Sequence, residues 1–181
     1  VSLWLKDTSW SEKITEDNQK RAARDNAKRI SLLNAARAHQ YKKLYGEAER
    51  SAVTEYKHYK SNPLFLVGIT LYFVRGDQHN DGVIRFSTSK IDEHVLFQRF
   101  MREFLGVERK DIRFWLLLYP TQKPLVCSRI WSKKLHLPLS QFHKYQVIQG
   151  RSTKRTLHSG VGNTIIGGTV LKKKLATWIK L

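Results

Sequence analysis

The segment NPLFLVGITLYFVRGDQ, residues 62–78, is the most apolar stretch of the chain, and its reading decides the fold. From Leu64 to Val74 it carries no charge and Thr70 as its one polar side chain, then turns abruptly into Arg75, Gly76 and Asp77. Asn62-Pro63 marks the start of a helix, because a first-turn residue does not need the N–H that proline lacks. The apolar run is too short to cross a bilayer, which takes about 20 residues. It is therefore predicted to be a helix buried by protein, in a chain with no membrane attachment.

The surrounding chain is very basic. Its 181 residues hold 33 Lys and Arg against 15 Asp and Glu, a formal net charge of +18. The imbalance is concentrated: residues 120–181 carry 12 Lys and Arg and no acid at all. Such a segment repels itself unless a polyanion neutralises it, and nucleic acid is the commonest polyanion. Solubility alone does not demand the complete loss of acids. The single cysteine, Cys127, excludes an internal disulfide, fits a reducing cytoplasm and reads as a small core residue.

Ahead of the apolar run, residues 12–60 contain no proline and one glycine, Gly46. Tyr41, Tyr45, Ala48, Ala52, Tyr56 and Tyr59 recur at steps of three and four, which predicts a long helix with one apolar face. It reads as a connector, or as a helix whose second half packs on the core. After the run the period changes. Ile84, Phe86 and Thr88 alternate with Arg85 and Ser87, and Ile112, Phe114, Leu116 and Leu118 alternate with Arg113, Trp115 and Tyr119. Both patterns predict half-buried strands. Helices are predicted from the capping sequence at Ser89–Asp92 to Leu105, over Leu125–Leu135 and over Val170–Lys180. Further strands are predicted near Lys144–Gln149 and Val161–Ile166. The order of elements predicts an α+β domain whose sheet leaves one face open.

That face is the candidate contact surface. Arg85, Ser87, Arg113, Trp115, Lys144, Gln146 and Gln149 mix side chains able to reach phosphates and base edges. Arg151, Lys154, Arg155 and His158 form a basic loop suited to backbone phosphates. No enzyme motif stands out. Asp77, His79 and Asp81 could hold a divalent ion, although a segment rich in Asp, Asn and Gly is ordinarily a turn.

Five segments in order, "NPLFLVGITLYFVRGD", "VIRFSTS", "HVLFQRFMREFLGVERKDIRFWLLLYP", "WSKKLHLPLSQF" and "LATWIKL", resemble small single-motif LAGLIDADG-like proteins. These are relatives of the LAGLIDADG homing endonucleases that commonly carry a helix-turn-helix module in front. The resemblance covers about residues 62–181. The opening "VSLWLKD" is similar to the end of a recognition helix, which implies that residues 1–11 are the remnant of such a module. Residues 12–60 would then be a helical connector and 61–181 the LAGLIDADG-like domain.

The resemblance implies a four-stranded antiparallel sheet backed by helices, preceded by a long N-terminal helix. It also implies a motif helix that packs on its own sheet and on a second copy. A homodimer is expected, with Leu64, Gly68 and Tyr72 at the interface and a roughly two-fold symmetric DNA site. In the family an acid before the glycine matching Gly76 ligates a metal, and here Arg75 stands there. A guanidinium has no lone pair to offer. Asp77 follows just past the glycine, on a different side of the helix from position 75, as the remaining candidate catalytic residue and Mg²⁺ ligand. Arg75 is instead expected to grip a phosphate.

The expected function is double-stranded DNA binding without cleavage, in the cytoplasm and associated with the nucleoid. The alternatives are a Mg²⁺-dependent endonuclease using Asp77, and an RNA-binding or ribosome-associated protein.

Overall fold

Residues 9–148 and 159–181 are described by a computed structural model. Contacts divide the chain into two units, residues 1–45 and 46–181.

The first helix, α1 (Ser9–Tyr59), runs 51 residues and belongs to both units. Glu12 in its first turn and Lys57 and His58 in its last oppose the helix dipole, and Lys20 pairs with Glu16 one turn away. Gly46 is tolerated inside it at a cost of about 1 kcal/mol. Its residues beyond Gly46 are part of the second unit's core: Ala48 and Ala52 are buried, and Tyr56 and Tyr59 pack against that core. Of the two readings the sequence left open for the second half of this helix, the residues beyond Gly46 follow the packed one, because four apolar residues at helical spacing find a surface there.

The apolar run forms α2 (Pro63–Arg75). Asn62 caps it, its side-chain oxygen accepting from the amides of Leu64 at 2.9 Å and Phe65 at 3.3 Å. The helix stops at Gly76, whose N–H donates to the Tyr72 carbonyl at 2.8 Å. A side chain there would collide: a Cβ on Gly76 would lie 2.5 Å from the Tyr72 ring. This close approach, rather than any unusual backbone angle, explains a glycine between two charges.

Strand β1 (Val83–Thr88) leads into α3 (Ile91–Leu105), and β2 (Ile112–Leu118) into α4 (Pro124–Leu135). The strands β3 (Gln146–Val147) and β4 (Val161–Gly167) precede the last helix, α5 (Thr169–Lys180). The capping sequence expected at Ser89–Asp92 makes no side-chain cap: Lys90 holds the N-cap position of α3, and the Thr88 hydroxyl ahead of it accepts from the Lys90 amide at 3.2 Å and donates to Glu93 at 2.7 Å. Gly106, in the left-handed region at φ 64°, ends α3 as expected.

The fold is α+β, with strand order β1-β4-β2-β3. β4 pairs antiparallel with both β1 and β2, but β3 pairs parallel with β2, so the sheet is mixed and not antiparallel. The reason lies in the connection. A chain that leaves β2 through a crossover helix, here α4, returns in the same direction. Of the strand predicted near 144–149, the described residues pair at Gln146–Val147 at this edge.

One face of the sheet is closed. Ile84, Phe86, Ile112, Phe114, Leu116, Leu118 and Ile166 are buried there beneath α2, α3 and α4. Phe65 centres an aromatic cluster with Tyr56, Tyr59, Phe100, Phe104 and Trp178. The Trp178 indole donates to the Ala52 carbonyl at 2.9 Å, tying α5 to the end of α1. Cys127 is buried in α4, and burial raises its thiol above the ordinary value, which suits an inert core residue. Among the described residues no helix is long and apolar enough to cross a membrane.

Candidate nucleic-acid interface

The other face of the sheet is open, and strand register assembles it into rows. Arg85 of β1 and Arg113 of β2 flank Ile165 of β4, and Ser87 and Trp115 flank Asn163. A third row runs from Val161 through Leu117 to Gln146. Adjacent strands lie about 4.8 Å apart, so the two arginines stand roughly 10 Å apart across β4. The separation is comparable with the roughly 12 Å width of a DNA major groove.

The polar side chains of this face are partly spoken for. Ser87 donates to the Asn163 side-chain oxygen at 2.5 Å. Arg113 donates to the Lys110 carbonyl at 2.6 Å, which draws its guanidinium toward the start of β2. Arg85 lies 3.7 Å from the Asp77 carboxylate through Nη1, while its Nε is buried with no hydrogen-bond partner among the described residues. An unpaired buried donor of this kind costs stability unless another acceptor arrives.

Lys144 and Gln146 are exposed at the β3 edge. Gln149, expected at the end of the strand near 144–149, and Arg151, Lys154, Arg155 and His158, expected in a basic loop, lie outside the described residues.

Below the open face lies the end of α2. Arg75 is its last residue, its Nε 3.9 Å from Glu93. Burial pushes the Glu93 carboxyl up, but the Thr88 hydroxyl, Lys90 and Arg75 outweigh it and hold the group below the ordinary carboxylate range. Asp77 sits just past the helix and serves the turn. Its Oδ1 accepts from the amides of His79 at 3.1 Å and Asn80 at 3.3 Å, while its Oδ2 faces Arg85. Asp81 pairs with Lys173. Among the described residues no three His, Cys, Asp or Glu side chains are grouped to hold a metal ion. The donors around Asp77 suit Mg²⁺ poorly, because its carboxylate already accepts from two amides and faces a guanidinium, while Asp81 in the same turn is paired with Lys173.

A buried polar cluster that sequence reasoning missed positions this end of α2. Lys172 of α5 is 3 % exposed, and its Nζ donates to the Tyr72 hydroxyl at 2.6 Å and to the Asp77 carbonyl at 2.5 Å. The Tyr72 hydroxyl donates to the same carbonyl at 2.9 Å. Burial pushes the Tyr72 hydroxyl up to about 12, and the Asp77 charge adds to the effect. Burial also lowers Lys172, against the pull of Asp77 and Asp81. The signal was present: Lys172, Leu175 and Trp178 recur at steps of three on the buried face of α5. Within the run Lys172-Lys173-Lys174, this spacing alone sets the first lysine apart.

The residues expected at a chain–chain interface lie on the inner side of α2. Gly68 and Tyr72 are buried and Leu64 packs against the core. A Cβ on Gly68 would lie 2.1 Å from Cγ of Phe100, so the close helix approach that Gly68 permits is to α3 of the same chain. The outward side carries Leu66, Val67, Phe73 and Val74, 42–64 % exposed, with Thr70 between them.

Compared with known proteins, the chain matches no family model, no curated protein and no solved structure.

Proposed function

We propose that this chain binds double-stranded DNA through the open face of its sheet, that it acts as a pair of copies, and that it does not cut the DNA it binds. The observation that carries the reading is the row Arg85–Ile165–Arg113 above the row Ser87–Asn163–Trp115. It is a half-open face with two guanidinium groups, an unpartnered Arg85 Nε and an aromatic ring, in a domain whose last 62 residues hold no acid. Sheets enter the major groove, and Arg reads guanine or grips phosphate in the same bidentate fashion. The likeness of residues 62–181 to single-motif LAGLIDADG-like proteins points the same way.

Pairing is supported by the outward side of α2. Leu66, Val67, Thr70, Phe73 and Val74 follow a three–four spacing that forms one apolar stripe. A second copy of the same helix would cover it and bring two open sheet faces into line. The absence of cutting follows from the donors about Asp77, which suit an arginine and a turn rather than a cation.

The test is fluorescence anisotropy with duplex DNA over a range of salt, alongside plasmid incubation with and without Mg²⁺. Affinity should fall steeply as salt rises, and the plasmid should stay intact. No duplex binding at low salt refutes the proposal. Tighter binding to structured RNA at equal salt favours the RNA reading. Mg²⁺-dependent nicking abolished by Asp77→Asn favours the endonuclease.

A further inference from the structure

The helical side of the second unit carries a second group of cations, apart from the sheet face. There α3 buries His94, Phe97 and Phe100 toward the sheet and turns Arg99 and Arg102 outward. A cavity of about 190 Å³ opens beside them, lined by Gln98, Arg99, Arg102, Arg109, Lys134 and His136, with Val95 and Leu135 as its apolar part and no acid. Among the described residues, Arg102, Arg109, Lys134 and His136 have no side-chain partner, and Arg99 has only a loose 3.8 Å contact with Glu103.

The cations alone could be solvated surface. Arg102 and Lys134 also sit in the last turns of α3 and α4, where positive charge suits the helix dipole. Neither argument covers Arg109, which follows α3 outside any α-helix, and neither covers Gln98. That side chain is 7 % exposed, lines the cavity, and has its Nε2 buried without a hydrogen-bond partner among the described residues. A buried amide left unpaired calls for a missing partner, and four cations around it make an anion the fitting one.

We propose that this cavity binds the phosphate group of a small phosphorylated molecule. Its volume of about 190 Å³ is enough for one phosphate with some residual solvent. Gln98 lies recessed beneath exposed arginines, and a turn of its amide toward the cavity would bring Nε2 to a compact terminal phosphate, which the backbone of a duplex could not follow. Arg102 and Arg109 grip phosphate oxygens as planar forks, Lys134 adds charge, and Gln98 donates from below. An adjoining open depression of about 930 Å³ shares Arg99, Arg102 and Arg109 and continues to Glu103 and Glu108. It gives room for the body of the ligand, whose hydroxyl groups those carboxylates can accept. The site is separate from the sheet face and does not depend on the DNA reading.

Isothermal titration at constant ionic strength, with inorganic phosphate, a sugar phosphate and a nucleoside monophosphate as probes, tests it. Saturable binding of one phosphate per chain is expected, with at least one organic phosphate tighter than the inorganic ion. Arg102→Gln with Arg109→Gln, both exposed positions, should weaken binding by about tenfold or more. Gln98→Met, which keeps volume and charge, should weaken it about fivefold and leave duplex affinity within about twofold. Circular dichroism establishes that each variant is folded, and if Gln98→Met is not, the arginine pair decides. No saturable binding at millimolar probe, or binding unchanged in the arginine pair, overturns the proposal. So does a Gln98→Met variant that loses duplex affinity in step with phosphate, because the surface would then be part of a DNA contact.

Discussion

Gly68→Ala separates the two sides of α2 in a single experiment. The added methyl would lie 2.1 Å from Cγ, 2.2 Å from Cδ2 and 2.7 Å from Cβ of Phe100. Carbon atoms rest about 3.5–4.0 Å apart, so the Phe100 side chain or α3 itself must retreat by roughly 1.4 Å. The ring has no open side to move into. It is fully buried, with the centroids of Phe65 and Phe97 at 6.0 Å, Phe104 at 5.7 Å and Trp178 at 6.3 Å. Overpacking of this kind costs about 1–3 kcal/mol, and the contact with Phe100 Cβ puts it toward the top of that range. Replacing glycine by alanine inside a helix returns about 1 kcal/mol. The net expectation is a loss of about 1–2 kcal/mol. In urea the midpoint should fall by roughly 1 M with the slope unchanged. Phe100→Leu should be less damaging in the Gly68→Ala background than alone, since it frees the space the methyl needs. A midpoint that is unchanged or raised refutes the reasoning: α2 and α3 would stand further apart, and Gly68 would again be available to a second copy.

The outward side should behave in the opposite way. Phe73→Lys, at a position 59 % exposed, should change stability by no more than about 0.5 kcal/mol yet convert a sedimenting pair into monomers. A wild type that sediments as a monomer at micromolar concentration, with and without DNA, removes the pairing argument. Arg85→Ala and Arg113→Ala should each lower the slope of log affinity against log salt by about 1, measured by anisotropy, whereas unaltered slopes would remove both from the contact surface. Stability should also fall in acid because of His94, which is fully buried. Its Nε2 lies 3.2 Å from the carbonyls of both Thr88 and Gly162, so it must donate, and Nδ1 accepts from the Thr164 hydroxyl at 2.8 Å. Burial lowers this imidazole from 6.5 to about 4. The unfolded chain therefore binds the extra proton first, and the stability present above pH 6.5 is lost as pH falls toward 4, by about 3 kcal/mol at most. Urea midpoints between pH 7 and 4 measure it. His94→Gln should flatten that part of the profile, and an equally steep fall in the variant would assign the acid sensitivity elsewhere.

Much of the local architecture was legible in the sequence. Asn62-Pro63 and Gly76 bound α2, Gly106 ends α3, and period-two alternation assigns the buried and open sides of β1 and β2 residue by residue. These features depend on neighbours in the chain: a cap needs a side chain two or three residues from the amide it serves, and alternation follows from the pleat. The candidate face was legible to the same degree, since Arg85, Ser87, Arg113 and Trp115 were placed together by alternation alone. What tertiary structure decided was everything an all-round pattern leaves open. A helix apolar on every side has no preferred inner face, so only the packing of Phe100 and Trp178 could turn Gly68 and Tyr72 inward and leave Phe73 and Val74 outside. Asn163 entered the open face through β4's central place in the sheet, and β3 became parallel through its crossover, neither of which has a local signature. Lys172 went inward because the Tyr72 hydroxyl and the Asp77 carbonyl, about a hundred residues away in the chain, together satisfy its charge. Partners that distant exist for a side chain only once the fold has brought them together.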